Sequence, residues 1–454
     1  MTAGAAGMYC GSCFRDNALA AELLARGHDV TLQPVYTPTL TDETNVSRSR
    51  VLFGGISVYL QQHSALFRRT PRLVDRLWDS PGVIRALANR SISTDPHLLG
   101  DLTISMLDGE QGVLRKEFQK LLDWIVQEPV PDVVNLPNSL LIAMAAPLKA
   151  ALGRPVCCTL QGEELFLNGL PPQHRDRALE LIRANVVHVD HFIAVSEYGA
   201  AFMADLLGVS RARIAVVPLG IGMSGYPSRP KPPNEGDPFS IGYFARVAPE
   251  KGLHVLADAY VRFRRRIGGA STRLEAAGYL APAHRPYLDE VRQTLDRAGL
   301  GGEFTYRGVL DREGKLGFLH GLDVLSVPAT YDEPKGMFVL ESMASGVPVV
   351  QPRRGAFVEI VEKTGGGTLV TPDEPDSLAE GLYQRWTDRT ATAELGRRAF
   401  HGVRAHYTLE QSADRLLGVY QALIDGRLSA SGTGDGQRRP VQDDASRTWP
   451  ELSA

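Results

Sequence analysis

The sequence predicts an α/β protein of two Rossmann-like, doubly wound domains facing each other across a cleft. Three observations carry that expectation. Short apolar runs alternate with amphipathic helical stretches almost throughout, the pattern of parallel sheets joined by right-handed crossovers. A length of 454 residues exceeds one ordinary core and suggests two or three domains. A proline-rich polar stretch, PSRPKPPNEGDP from Pro227 to Pro238, breaks the alternation and reads as an extended linker.

In the first half, residues 1–226, the expected strands are VTLQPV from Val30, DVVNL from Asp132, PVCCTL from Pro155, HFIAVS from His191 and IAVVPL from Ile214. Helices are expected between them at Arg15 to Arg26, Leu114 to Gln127, Ser139 to Leu152 and Glu197 to Leu207. The first loop, GAAGMYCGSC, should follow a strand, yet only Met1 to Ala3 precede it. Either that strand is vestigial or a few residues are missing, and the second reading is preferred because a missing central strand would expose its neighbours' edges.

In the second half, residues 239–407, strands are expected at FSIGYF from Phe239, RLEAAG from Arg273, EFTYRG from Glu303, DVLSVP from Asp323 and VPVVQ from Val347. Met337 to Ser345 (MFVLESMAS) is built of good helix formers and is closed by Gly346. A last amphipathic helix is expected within 408–425. The tail, 426–454, has no apolar periodicity and is expected to be disordered.

Composition narrows the function. Hydrophobic content of 43% and charged content of 22% are those of a soluble globular protein, and a net charge of −3 gives no reason to expect a nucleic-acid partner. No apolar run reaches bilayer-spanning length and no signal peptide is visible, so a cytoplasmic location is expected. Cys10 and Cys13 have C-x-x-C spacing and Cys157 adjoins Cys158, but neither pair has a matching second half for zinc or redox work. No metal site is expected.

Ligands of open parallel sheets bind at the carboxyl ends of strands. In EPKGMFVLE, Glu333 and Gly336 lie in a strand-to-helix loop, and the free N–H groups from Gly336 to Val339 suit a phosphate. Carboxylates only accept hydrogen bonds, so Glu333 and Glu341 suit the hydroxyls of a sugar or ribose; the alternative is a solvated loop residue and an ordinary helix surface. Arg246 and Lys251 in FARVAPEKG supply a guanidinium fork and an ammonium for a diphosphate.

These residues carry a resemblance. The chain resembles the retaining GT-B glycosyltransferases of the family 4 type, through Arg246 and Lys251, the E-x7-E pair Glu333 and Glu341, and SGVPVV after it. RDNALAAELLARGHDVTL, FIAVSEYGAAFM and VVPLGI extend it over the first half. The resemblance implies that Glu341 binds the ribose of a nucleotide sugar and Glu333 lies over the transferred sugar. It implies that backbone around Gly336, Met337 and Phe338 holds the sugar and diphosphate, with Arg246 and Lys251 on the diphosphate. The base would rest at Gly308 and Val309, and Gly11 would admit the phosphates from the other domain. It further implies a donor half at 239–407, an acceptor-side half at 1–226, and a last helix crossing back to the first half. No cofactor is implied beyond the nucleotide-sugar donor, with UDP favoured over GDP, and no D-x-D motif stands at a strand end.

The acceptor, a sugar, lipid or small molecule, is less well marked. Where many relatives have histidine this chain has Gln161, which can bond a hydroxyl but cannot act as base. Glu163 and Glu164 either orient an acceptor or cap a loop. The basic stretch from Ser64 to Arg90 is either a helical insertion packed on its own domain or a peripheral membrane contact facing a lipid acceptor. A nucleotide-sugar epimerase or another GT-B enzyme is the alternative function, and a non-catalytic sugar-binding protein a third.

Overall fold

A computed structural model describes residues 1–4, 11–39, 41–49, 51–53, 96–232, 236 and 238–428. The stretch from Ser64 to Arg90, Cys10 and the tail from 429 lie outside the described residues, as does part of the linker.

Among the described residues the first half runs α1 (Gly11–Ala25), α2 (Pro96–Leu107), α3 (Arg115–Ile125), β1 (Val134–Leu136), α4 (Ala145–Leu152), β2 (Val156–Leu160), α5 (Glu164–Asn168), α6 (Pro172–Asn185), β3 (His191–Ala194), α7 (Glu197–Leu207) and β4 (Ile214–Val216). Its strands pair in parallel in the order β1-β2-β3-β4. Beyond β1 the sheet is continued by single bridges. The Met1 amine donates to Asn135 O at 2.8 Å, and Thr2 bridges Pro34 in parallel. Residues 1–3 thus lie between β1 and residues 33–35, at the point where the strand order reverses. VTLQPV makes isolated bridges rather than a strand, because its neighbours Thr2 and Ser47 each meet it at one residue.

The second half runs β5 (Phe239–Phe244), α8 (Leu253–Ile267), β6 (Thr272–Ala277), α9 (Arg285–Arg297), β7 (Phe304–Tyr306), α10 (Arg312–Gly321), β8 (Val324–Leu325), α11 (Met337–Ala344), β9 (Val349–Pro352), α12 (Ala356–Thr364), β10 (Gly367–Val370), α13 (Pro375–Thr387) and α14 (Arg389–His406). Its parallel sheet has the order β10-β9-β8-β5-β6-β7. The chain moves outward from β5 through β7, returns to β8 on the other side, and moves outward again. That reversal opens a crevice above the carboxyl ends of β5 and β8.

The caps explain where helices stop and start. Ser196 Oγ accepts from Gly199 N to begin α7, and left-handed Gly208 ends it. Thr408 and Gln411 form a capping box for the last helix, α15 (Leu409–Ile424). Ile221 and Thr408 pair as a parallel bridge, so the two passages between the halves run side by side. α15 then packs on the first half. Leu19 and Leu23 of α1, Cys157, Ile193 and Val217 form one buried cluster with its Ala413, Leu416 and Leu423. Each buried leucine there contributes about 1.5–3 kcal/mol. Among the described residues no helix is long and apolar enough to cross a membrane.

Candidate functional site

The crevice of the second sheet is built by two loops pressed together. Gly252, after β5, has φ +73°, and a Cβ there would stand 1.9 Å from Pro328 O in the loop after β8. That approach brings Lys251 to Glu333. Lys251 Nζ pairs with Glu333 Oε2 and donates to Tyr331 OH at 2.5 Å, lying over the Tyr331 and Phe338 rings. Tyr331 OH also donates to Glu333, and Lys335 N reaches its other oxygen at 3.2 Å. Glu333 is 2% exposed. Burial opposes its charge, but Lys251, Lys335 and the Tyr331 hydroxyl outweigh burial and hold its carboxyl down to about 2.

α11 starts beside this carboxylate. Gly336 precedes it with φ +71°, and a Cβ would meet Ile360 Cδ1 at 2.8 Å. No side chain caps the helix, and backbone bonds back to Gly336 O begin only at Val339 and Leu340. Phe338 is buried and Met337 half-buried. The open amides and positive helix end suit an anion. Arg246 sits at the crevice edge, its side chain 40% exposed and paired with Glu250. Gly308 has φ +74° and Val309 is exposed beside it, in the loop after β7.

Glu341, further along α11, is not vacant. Lys315 Nζ of α10 donates to it at 2.9 Å and to Asp42 of the first half at 2.5 Å. Arg312, one turn earlier, reaches Glu43 at 2.7 Å. Sequence reasoning missed Lys315, Asp42 and Lys335. The only signal for the first was the i, i+3 spacing of two cations in REGK.

The first half meets this loop from the other side. Lys335 Nζ donates to Ser12 Oγ at 3.0 Å, in the first turn of α1 beside Gly11, and among the described residues no atom would crowd a Cβ at Gly11. Ser196 Oγ donates to Pro334 O at 2.7 Å. Glu359 of α12 accepts from Glu197 N and Tyr198 N at the start of α7. Next to this seam a cavity of about 260 Å³ is lined by Lys335, Leu340, Glu359, Lys363 and Tyr407, away from Glu333 and Glu341.

In the loop after β2, Gln161 Nε2 donates to Pro137 O at 2.9 Å and to Asp16 at 3.3 Å, and among the described residues its buried Oε1 has no partner. Glu163 takes the second of its two expected readings, tying a loop. One oxygen accepts from Ser139 N and Oγ, each at 2.9 Å, and the other from Gln161 N at 2.7 Å, so it holds the turn rather than facing a ligand. Cys157 and Cys158 are buried in β2, where burial pushes both thiols up. Among the described residues no group of three or more His, Cys, Asp or Glu is placed to hold a metal ion.

Residues 17–220 match the glycosyl transferase 4-like domain, and residues 227–401 match the glycosyl transferases group 1 family. Between them the two matches cover most of the chain. Each half of the chain thus matches a glycosyltransferase domain family, the first the 4-like and the second the group 1.

Among curated relatives of this chain, D-inositol 3-phosphate glycosyltransferase of Nocardia farcinica is 25% identical, over 58% of this chain and 60% of its own length. The chain therefore spans less than two thirds of that relative. The GDP-mannose-dependent alpha-(1-6)-phosphatidylinositol monomannoside mannosyltransferase of Mycobacterium tuberculosis is 25% identical, over 61% of this chain and 72% of its own. HepE of Anabaena, crystallised with UDP, superposes with a TM-score of 0.59 at 21% identity, covering 69% of this chain and 84% of HepE. That structural likeness speaks to the fold.

Proposed function

We propose that this protein is a retaining glycosyltransferase that moves a sugar from a nucleoside-diphosphate sugar to a hydroxyl acceptor, with a UDP-sugar the favoured donor and a GDP-sugar the other candidate. The observation that carries the reading is the buried, ionised Glu333 held by Lys251 at the uncapped start of α11. The open amides at Met337 and Phe338 suit the diphosphate, while the charged carboxylate beside them suits the hydroxyls of the sugar.

In this reading Lys251 stands between Glu333 and the leaving diphosphate, and Arg246 turns from Glu250 to share the phosphate charge. Protein cations then do what a metal would do elsewhere. Glu341 takes the ribose hydroxyls, sharing them with or releasing Lys315, and the base lies at Val309. Gly11 leaves room for phosphate oxygens from the first half. The acceptor hydroxyl attacks on the face from which the diphosphate leaves, which gives retention. HepE's bound UDP and the mycobacterial relative's GDP-mannose are the grounds for testing both bases.

The test is a calorimetric titration with UDP, GDP and ADP, beside Arg246→Ala. Micromolar binding of one nucleotide, weakened in the variant, supports the reading and chooses the base. Failure of all three to bind rejects it.

A further inference from the structure

Adjacent glutamates in TLQGEE meet opposite fates. Glu163 spends both oxygens inside its own half. Glu164, the first residue of α5, is 8% exposed and its Oε2 has no hydrogen-bond partner among the described residues. A buried carboxylate oxygen without a donor is costly, and its persistence asks for a ligand that supplies one.

The place of Glu164 says which ligand. Gly162 turns the chain with φ +92°, so that the loop after β2 touches the loop carrying Glu333. A Cβ built at Gly162 would stand 2.8 Å from Pro334 Cγ, 3.7 Å from Glu164 Oε1 and 3.8 Å from Lys335 Cε. Glu164, Pro334 and Lys335 therefore surround one point, one residue from the carboxylate at the reaction centre. Of the polar groups in TLQGEE, Gln161 lies toward Asp16 and Pro137, and Glu163 toward Ser139, so Glu164 is the one directed at this loop.

The geometry points to Glu164 as the residue that receives the attacking hydroxyl of the acceptor, its carboxylate accepting the O–H bond on the seam that Pro334 and Lys335 share. This rests on the glycosyltransferase reading above. The step balances simply. As the glycosidic C–O bond forms and the C–O bond to the diphosphate breaks, the acceptor's proton passes to Glu164 and from there to solvent. The diphosphate leaves with its charge met by Lys251 and Arg246. Glu164 is then an alternative proton acceptor to the leaving phosphate.

Its electrostatics fit the role. Burial first, and Glu163 beside it second, push the Glu164 carboxyl up to about 7, with Lys335 pulling the other way. The groups whose charge it feels are Glu163 on its own turn, Lys335 and Glu333 across the seam, Tyr331, and Tyr198 of α7. Such a carboxylate takes and returns a proton near neutrality.

Glu164→Gln keeps the shape and removes the charge, and Glu164→Asp keeps the charge. Nucleotide affinity is read by calorimetry with UDP and GDP, and turnover by nucleoside diphosphate release from UDP-glucose and GDP-mannose with water as acceptor. Glu164→Gln should bind nucleotide within about twofold of the unaltered protein, yet release it about 100-fold more slowly. The rise in rate through about pH 7 should vanish in Glu164→Gln and remain in Glu164→Asp. Unchanged turnover and pH profile in Glu164→Gln, with binding intact, would overturn the assignment while leaving the donor site standing. Loss of nucleotide binding in Glu164→Gln alone would place Glu164 in the donor pocket and overturn it too. Absence of nucleotide binding in the unaltered protein removes the glycosyltransferase reading and this one with it.

Discussion

Lys315 Nζ stands 2.9 Å from Glu341 Oε1 and 2.5 Å from Asp42 Oδ2, so one buried ammonium joins the two halves of the molecule. Its neighbour Arg312 repeats the connection through Glu43. Removing the shared cation leaves two carboxylates facing each other with little water. Lys315→Met should destabilise the protein by about 3 kcal/mol, the cost of breaking a buried pair. Thermal unfolding followed by circular dichroism would show it as a drop of several degrees. An unchanged midpoint would mean the bridge contributes nothing.

Glu333 should govern stability in acid. Its folded pKa lies below its unfolded value, so its contribution is complete above about pH 4.5 and is lost as pH falls towards about 2. The full contribution is about 3 kcal/mol by linkage. Glu333→Gln should therefore be less stable at neutral pH and lose less stability between pH 4.5 and 2 than the unaltered protein. Denaturant unfolding at several pH values measures both. In turnover assays the same variant should be slow while nucleotide affinity falls by less than about tenfold.

Gly252 carries no chemistry of its own, yet a methyl group there meets the Pro328 carbonyl at 1.9 Å, and its backbone is left-handed. Gly252→Ala should force the two crevice loops apart and part Lys251 from Glu333. The expected result is a loss of nucleotide affinity of at least tenfold with the far-ultraviolet circular dichroism retained. Affinity equal to the unaltered protein's would show that loop contact is dispensable.

Leu416 of α15 is 3% exposed and belongs to the cluster with Leu19 and Leu23. Leu416→Ala should cost about 2–4 kcal/mol. Hydrogen exchange should localise the loss to α1, β2 and β3 rather than to the second sheet. Exchange that rises in the second sheet instead would contradict the packing.

Much of this was legible in the sequence, for physical reasons that differ by residue. The alternation of buried strands with helices is local patterning, and it marked β1 to β9. β10 was missed because GTLV, flanked by Gly365 and Gly366, is a short run without a β-rich context. The placement of Glu333, Lys251 and Gly336 in loops at strand ends was legible because the apolar strands before them are. Lys315 and Lys335 were not, since their partners Asp42 and Ser12 lie in the other half and no spacing rule links them. Glu163 and Glu164 are indistinguishable as letters. The positive φ at Gly162 and the Ser139 donors decide which one turns inward, and both are facts of tertiary structure.

The last helix has a consequence for how the molecule is made. On the ribosome, α1 and β1 to β4 emerge well before residues 409–424, which cover one face of their sheet. Until then Leu19, Leu23, Ile193 and Val217 lack the leucines that bury them, while some two hundred residues of the second domain are still being translated. The nascent first domain therefore waits, with a defined oily face turned outward, for residues 409–424 to be made.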